Sequence, residues 1–277
     1  GFTTGVRKAG EQKEGSMTAE DRQGRVGDAG SQGELAARTA VLAGRLLLEN
    51  GGETTRTEDT MRRICQAAGA QVTDSYATPG MLMVSFTWEG QMIHNMKRTT
   101  PGGTDLEKIQ AVNGVSRQIC QGSITLQEGY RRLQRIAASA SVPPARTMIG
   151  SGLAGCGFGL VFCQNLPEAL AAGVLALAAS SAVSCLSRFS ESFRVFAVSG
   201  LITLAASLCL PSGLRPAPVI LSAQMILVPG MMFTTALRDF AAGDTLSGLS
   251  RLACALLTAV VTALGNIAAL SLTGGIG

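Results

Sequence analysis

The residues with the clearest chemical potential cluster near the C-terminal end of the chain. Leu227-Val228-Pro229-Gly230 sits toward the end of an apolar run. There Pro229 removes a backbone donor and Gly230 permits a break in a helix. A helix broken inside a membrane exposes carbonyls and a half-helix N-terminus, which can hold an ion or an anionic group. Polar residues lie around the same run: Gln224 within it, Thr234 and Thr235 just after it, then Arg238, Asp239, Asp244 and Arg251, with Asn266 in the next apolar run. Polar groups at membrane depth usually face a cavity or another helix. Pro229, Gly230, Gln224, Thr234, Arg238, Asp239 and Asn266 are therefore the candidate solute-binding residues. The plainer reading of the same residues is a kink with interfacial ion pairing.

Other chemistry is poorly represented. His94 is the only histidine, and no acid or nucleophile is spaced to promote it. The chain carries no GxSxG, Walker, HExxH or dinucleotide-binding pattern, so no enzyme, ATPase, metal site or cofactor is expected. The seven cysteines include no CxxC pair, and five fall in apolar runs, where they read as small hydrophobes. A net charge of +4, not clustered with aromatics, makes no case for nucleic acid.

The elements that must position these residues divide the chain in two. Nearly all the charge lies before Arg146, and no lysine follows it. Five apolar stretches come close to the roughly 20 residues that a bilayer crossing takes: 147–163, 169–186, 193–210, 217–233 and 249–272. The expected fold is an α-helical polytopic membrane protein, with about five transmembrane helices (145–277) behind a small α+β cytoplasmic domain (33–142). Gly155 with Gly159, and Ser151 with Gly155, give the first span small-xxx-small spacings suited to helix packing. With the N-terminal domain inside, Arg146, Arg188, Arg194, Arg238 and Arg251 face the cytoplasm and only Arg215 faces out. That asymmetry predicts N-terminus in and C-terminus out.

In the N-terminal half, apolar residues at helical spacing predict a helix over 35–48, stopped at Asn50-Gly51-Gly52. A second helix is expected from Thr55 with Glu58 as a capping box, and Glu58–Arg62 and Asp59–Arg63 as ion pairs. Leu82, Val84, Phe86 and Trp88 alternate with Met83, Ser85 and Thr87, and Glu89-Gly90 separates them from 91–98, which reads as a β-hairpin with a further strand over 72–78. Thr104 with Glu107 and Thr125 with Glu128 open two more helices. Residues 1–32 have almost no large apolar side chains and read as a disordered tail with no signal-peptide h-region. Met17, after Gly15-Ser16, is a candidate original start behind added residues.

Several stretches, in order and spacing, resemble the threonine/serine exporter family. They are Leu47-Leu48-Glu49-Asn50-Gly51-Gly52-Glu53 followed by Arg56, Asp105-Leu106-Glu107-Lys108-Ile109, Gly122-Ser123-Ile124-Thr125 with Glu128, and Leu227-Val228-Pro229-Gly230 followed by Asp239 and Gly243. The resemblance is to the longer subunit of the split two-component form, and it marks Glu53 and Arg56 as a motif of the N-terminal domain. It implies a bacterial inner-membrane exporter of small polar solutes, either threonine and serine or dicarboxylates such as succinate, driven by a gradient. Single-chain members carry about twice as many spans, so the resemblance also implies a small membrane subunit as partner and an oligomeric assembly in the lipid bilayer. Two other readings compete: a membrane-anchored cytoplasmic sensor or enzyme domain, and an oligomeric channel.

Overall fold

The computed structural model describes residues 19–277, apart from 101, 140, 141, 212 and 275–277. The chain opens with α1 (Ala19–Glu49) and α2 (Thr54–Ala67). A three-stranded antiparallel sheet follows, β1 (Gln71–Thr78), β2 (Met81–Trp88) and β3 (Gln91–Arg98), with strand order β1-β2-β3. Then come α3 (Leu106–Cys120) and α4 (Leu126–Ala138). The hairpin falls where the alternation put it, and Glu89 and Gly90 both take positive φ in its two-residue turn. Leu82, Val84 and Phe86 point inward at 0–1% exposure. They pack with Leu46 and Leu47 of α1, Met61 and Ile64 of α2, Val112 and Ile119 of α3, and Leu133 of α4 into one core. His94 lies exposed on the opposite face of the sheet, paired across from Ser85.

Local details depart from the sequence expectation at three helix starts. α1 begins at Ala19 rather than near Leu35, because adding polar turns to a formed helix requires no new nucleus. Only residues 1–18 of the expected disordered tail, Met17 among them, lie outside the described residues. α2 starts at Thr54, with Glu53 at its N-cap and no side-chain cap. Glu58 does not close a capping box there. Its carboxylate accepts the Ala77 N–H at 2.7 Å, while Asp59 pairs with both Arg62 and Arg63. In α3 the cap is Asp105, which accepts the Lys108 N–H, one residue beyond the Thr104 expected. Thr125 caps α4 through the Glu128 N–H as its spacing indicated.

Among the described residues, the apolar half contains four helices long and apolar enough to cross a membrane. They are α5 (Pro144–Phe162), α6 (Leu166–Cys185), α7 (Glu191–Cys209) and α10 (Thr245–Leu272). The remaining apolar run, expected as one span over 217–233, is instead α8 (Pro216–Gln224) and α9 (Gly230–Ala241), interrupted at 225–229. After Gln224 the ladder gives way to i→i−3 bonds from the Met225 and Leu227 N–H groups, Pro229 has no N–H with which to resume it, and it restarts at the Phe233 N–H to Pro229 carbonyl bond. Gly230 makes no special demand on this break: its φ is ordinary and a Cβ would meet open space.

Contacts at the helix ends show that α8 and α9 together traverse the bundle. Arg146 at the start of α5 pairs with Glu107 of the N-terminal domain, marking that end as the near one. Cys163 and Glu168 at the other end bind Arg215, just before α8. Arg238, late in α9, is back against Glu53 of the N-terminal domain. The chain thus crosses five times, four times in long helices and once through the broken pair. α5 and α6 pack backbone to backbone through the small residues expected there. A Cβ on Gly155 would lie 2.5 Å from the Ala176 Cβ, and one on Gly159 would lie 2.5 Å from the Ala169 Cα.

Candidate functional site

The break between α8 and α9 leaves Gln224 as the last residue of α8, 6% exposed and turned into the bundle. Its amide nitrogen donates to Asn266 Oδ1 of α10 at 2.6 Å, and Asn266 Nδ2 returns a bond to Gln224 Oε1 at 3.0 Å. The same Gln224 nitrogen reaches Thr203 Oγ1 at 3.2 Å and the Ser199 carbonyl at 3.3 Å, both on α7. Thr203, 1% exposed, donates to Asn266 Oδ1 at 3.0 Å or to the Ser199 carbonyl at 3.1 Å. Three helices therefore meet at an uncharged network of two amides and a hydroxyl. Buried polar groups are tolerated in apolar surroundings only when bonded, so in this state each group satisfies another. α7 and α10 approach closely enough for this because Gly200 and Gly265 face each other, with Gly200 N and the Gly265 carbonyl both within reach of a Cβ on the opposite residue.

An ion pair stands at each end of the bundle. At the near end, the α1–α2 loop docks onto the α9–α10 corner. Asp239, 1% exposed, pairs with Arg251 Nε at 2.9 Å and accepts from both the backbone N–H and the hydroxyl of Thr54 at 3.4 Å. Arg251 also donates to the Gly52 carbonyl at 2.8 Å. Outside this buried pair, Arg238 and Glu53 form a more exposed one. A cavity of 60 Å³ remains beneath the docked loop, lined by Gly51, Pro79 and Thr104 on one side and by Met231, Thr235 and Arg251 on the other. That is room for only a few waters.

At the far end, Glu168 is 2% exposed and is held by Arg215 in several bonds. The Arg215 backbone N–H and Nε donate to Oε1 at 3.0 and 3.2 Å, and Nη2 donates to Oε2 at 3.1 Å. The same Nη2 donates to the Cys163 carbonyl at 2.7 Å, which joins the end of α5, the start of α6 and the entry to α8. Fork-shaped pairing of this kind is the strong form of an arginine–carboxylate contact.

The structure sorts the sequence candidates. Gln224 and Asn266 meet directly, and Pro229 lies at the interruption beside them. Asp239, Arg238 and Glu53 belong to the near-end dock rather than to the amide network. Thr234 is exposed and bonds its own helix at the Met231 carbonyl, so it reaches neither site; its neighbour Thr235 faces the dock. Arg56 is exposed in a groove on the far side of α2. The sequence candidates did not include Thr203, whose hydroxyl in an apolar helix is the signal that could have found it, nor Ser199, which takes part only through its backbone carbonyl. It also missed Glu168 with Arg215, the lone acid and the lone arginine of the far-end loops.

Burial lifts the Glu58 carboxyl above its ordinary value of 4.5, and the charge of Asp244 pushes the same way against the Ala77 N–H and Arg62. An acid raised by folding contributes stability that is fully present below the ordinary value and lost as pH rises through the folded one. Glu58→Gln keeps an acceptor for Ala77 and cannot ionise. The melting temperature of the wild type is expected to fall relative to this variant as pH rises above 4.5. Parallel curves would show that Glu58 does not titrate in the raised range.

A family model described as "Putative threonine/serine exporter" matches residues 38–273. No curated protein and no solved structure matches the chain.

Proposed function

The chain belongs to the threonine/serine exporter family, and on that premise we propose that it carries threonine and serine outward across a bacterial inner membrane, with the amide network at the helix break as its solute site. The observation that carries this reading is the meeting of Gln224, Asn266 and Thr203 at the end of α8, between an ion pair at each end of the bundle. Interrupted helices place unpaired backbone and polar side chains at the depth where secondary transporters bind their solutes.

The chemistry of the network favours a hydroxy amino acid over a dicarboxylate. Amide carbonyls accept from an ammonium, amide N–H groups donate to a carboxylate, and Thr203 can exchange its bond with a solute hydroxyl. A dicarboxylate such as succinate would bring two negative charges to a network without lysine or arginine, and desolvating an uncompensated charge is costly. In this account the near-end pair opens to admit solute from the cytoplasm, and the Glu168–Arg215 pair opens to release it. The arginine asymmetry supports a cytoplasmic N-terminal domain. With no nucleotide-binding motif in the chain, an ion or solute gradient supplies the energy. A small membrane subunit completes the carrier.

Proteoliposomes containing the chain and its small partner, loaded with labelled threonine, serine or succinate under a proton gradient, provide the test. Efflux of threonine and serine in preference to succinate is expected. Movement of none of the three would remove the proposal, and preference for succinate would overturn the substrate assignment.

A further inference from the structure

The N-terminal domain carries a second polar site that the transport path does not use. A groove of 770 Å³ runs between α2, β1 and α3 and includes Arg56, Asp59, Asp74, Ser116 and Arg117 in its lining. Its volume is in the range of small-molecule sites. Asp59 is occupied by Arg62 and Arg63 at 2.5 and 2.8 Å, and Glu58 by the Ala77 N–H. Among the described residues, Arg56, Arg117 and Asp74 form no ion pair, which leaves two guanidinium groups and one carboxylate facing the same space. The Thr73 hydroxyl on the groove wall is shielded from solvent and has no hydrogen-bond partner. Ser116, 7% exposed, lies on the wall beside Arg117.

We infer that this groove binds a zwitterionic α-amino acid, with Arg56 and Arg117 receiving its carboxylate and Asp74 its ammonium, and that occupancy acts on the near-end dock through α2. Guanidinium forks suit a carboxylate, and a free acid beside them suits an ammonium better than a second carboxylate. The connection to the dock is covalent and short. α2 presents Arg56 to the groove, and two residues earlier Thr54 holds Asp239 by its backbone N–H and hydroxyl. A ligand that draws Arg56 toward the groove therefore loads the turn that closes the transport path. The identity of the ligand as the transported solute rests on the proposed function; the existence of the groove site does not.

Calorimetric titration of the full chain in detergent with L-threonine separates the two. Gln224→Leu, which disables the membrane network, is expected to retain saturable binding. Arg56→Gln with Arg117→Gln in that background is expected to weaken it at least about tenfold, and Asp74→Asn to weaken threonine binding while sparing succinate. Both arginines are exposed and unpaired, so the fold should survive their replacement. Absence of threonine binding in the Gln224→Leu protein, binding unchanged by the arginine substitutions, or succinate bound as tightly as threonine would overturn the inference. None of these results bears on whether wild-type protein exports threonine.

Discussion

Asp239→Ala is expected to release the N-terminal domain from the membrane bundle and to abolish controlled transport. Asp239 is 1% exposed and Arg251 is 11% exposed on its side chain, so removal of the carboxylate leaves a guanidinium buried without its counter-ion. Breaking a buried pair from one side costs about 3 to 5 kcal/mol, a shift of more than about 100-fold in the docked population. Thr54 loses its acceptor in the same step, so the start of α2 is freed as well. Arg238→Ala should be mild by comparison. Its side chain is 69% exposed, and exposed pairs contribute about 0 to 1 kcal/mol. Amide hydrogen exchange over residues 51–54 measures the release. Fast exchange in Asp239→Ala, slow exchange in Arg238→Ala, and partial recovery in Asp239→Leu with Arg251→Met are expected, because the double substitution leaves no unpaired buried charge. Equal protection in all three proteins would show that the pair does not hold the dock.

Gly265→Ala is expected to have an effect out of proportion to one methyl group. A Cβ at this position would fall inside normal contact distance of the Ser199 hydroxyl and the Phe196 carbonyl, both on α7. The carbonyl is backbone and cannot rotate away, so α7 and α10 must separate. Overpacking of this kind costs about 1 to 3 kcal/mol, and here it also pulls Asn266 away from Thr203 and Gln224. Gly230→Ala is the matched control, because a Cβ there meets nothing within 4 Å. Folded yield in detergent and efflux should both fall for Gly265→Ala and remain near wild type for Gly230→Ala. The reverse order would mean that the family-like Pro229-Gly230 pair, and not the α7–α10 crossing, sets the site.

The parts of this arrangement legible in the sequence are those governed by local period and composition. Alternation marked β2 and β3, and apolar length marked α5, α6, α7 and α10. Proline chemistry marked the interruption at Pro229, and polarity at membrane depth marked Gln224 and Asn266, which do meet. What escaped depends on which helix faces which. Thr234 and Thr235 are neighbours of the same residue type, and only helix rotation makes one exposed and the other buried. Thr203 looked like an ordinary small residue until α10 placed Asn266 opposite it, and Ser199 enters the network through its backbone carbonyl, which no residue type announces. Glu168 and Arg215 are separated by a helical hairpin, so their pairing awaited the path of the chain. The α2 cap failed for a tertiary reason: Glu58 is drawn to β1, and the free Thr54 donors are taken by Asp239, a residue from the other half of the molecule.

The most direct test of the central claim is efflux of labelled threonine from proteoliposomes carrying Gln224→Leu, a substitution of similar size that keeps the bundle apolar and removes the amide from the α8 break. This variant is expected to fold, to retain slow exchange over residues 51–54, and to lose threonine efflux. Wild-type efflux from the same vesicles would contradict it and would place the solute path away from the network of Gln224, Asn266 and Thr203.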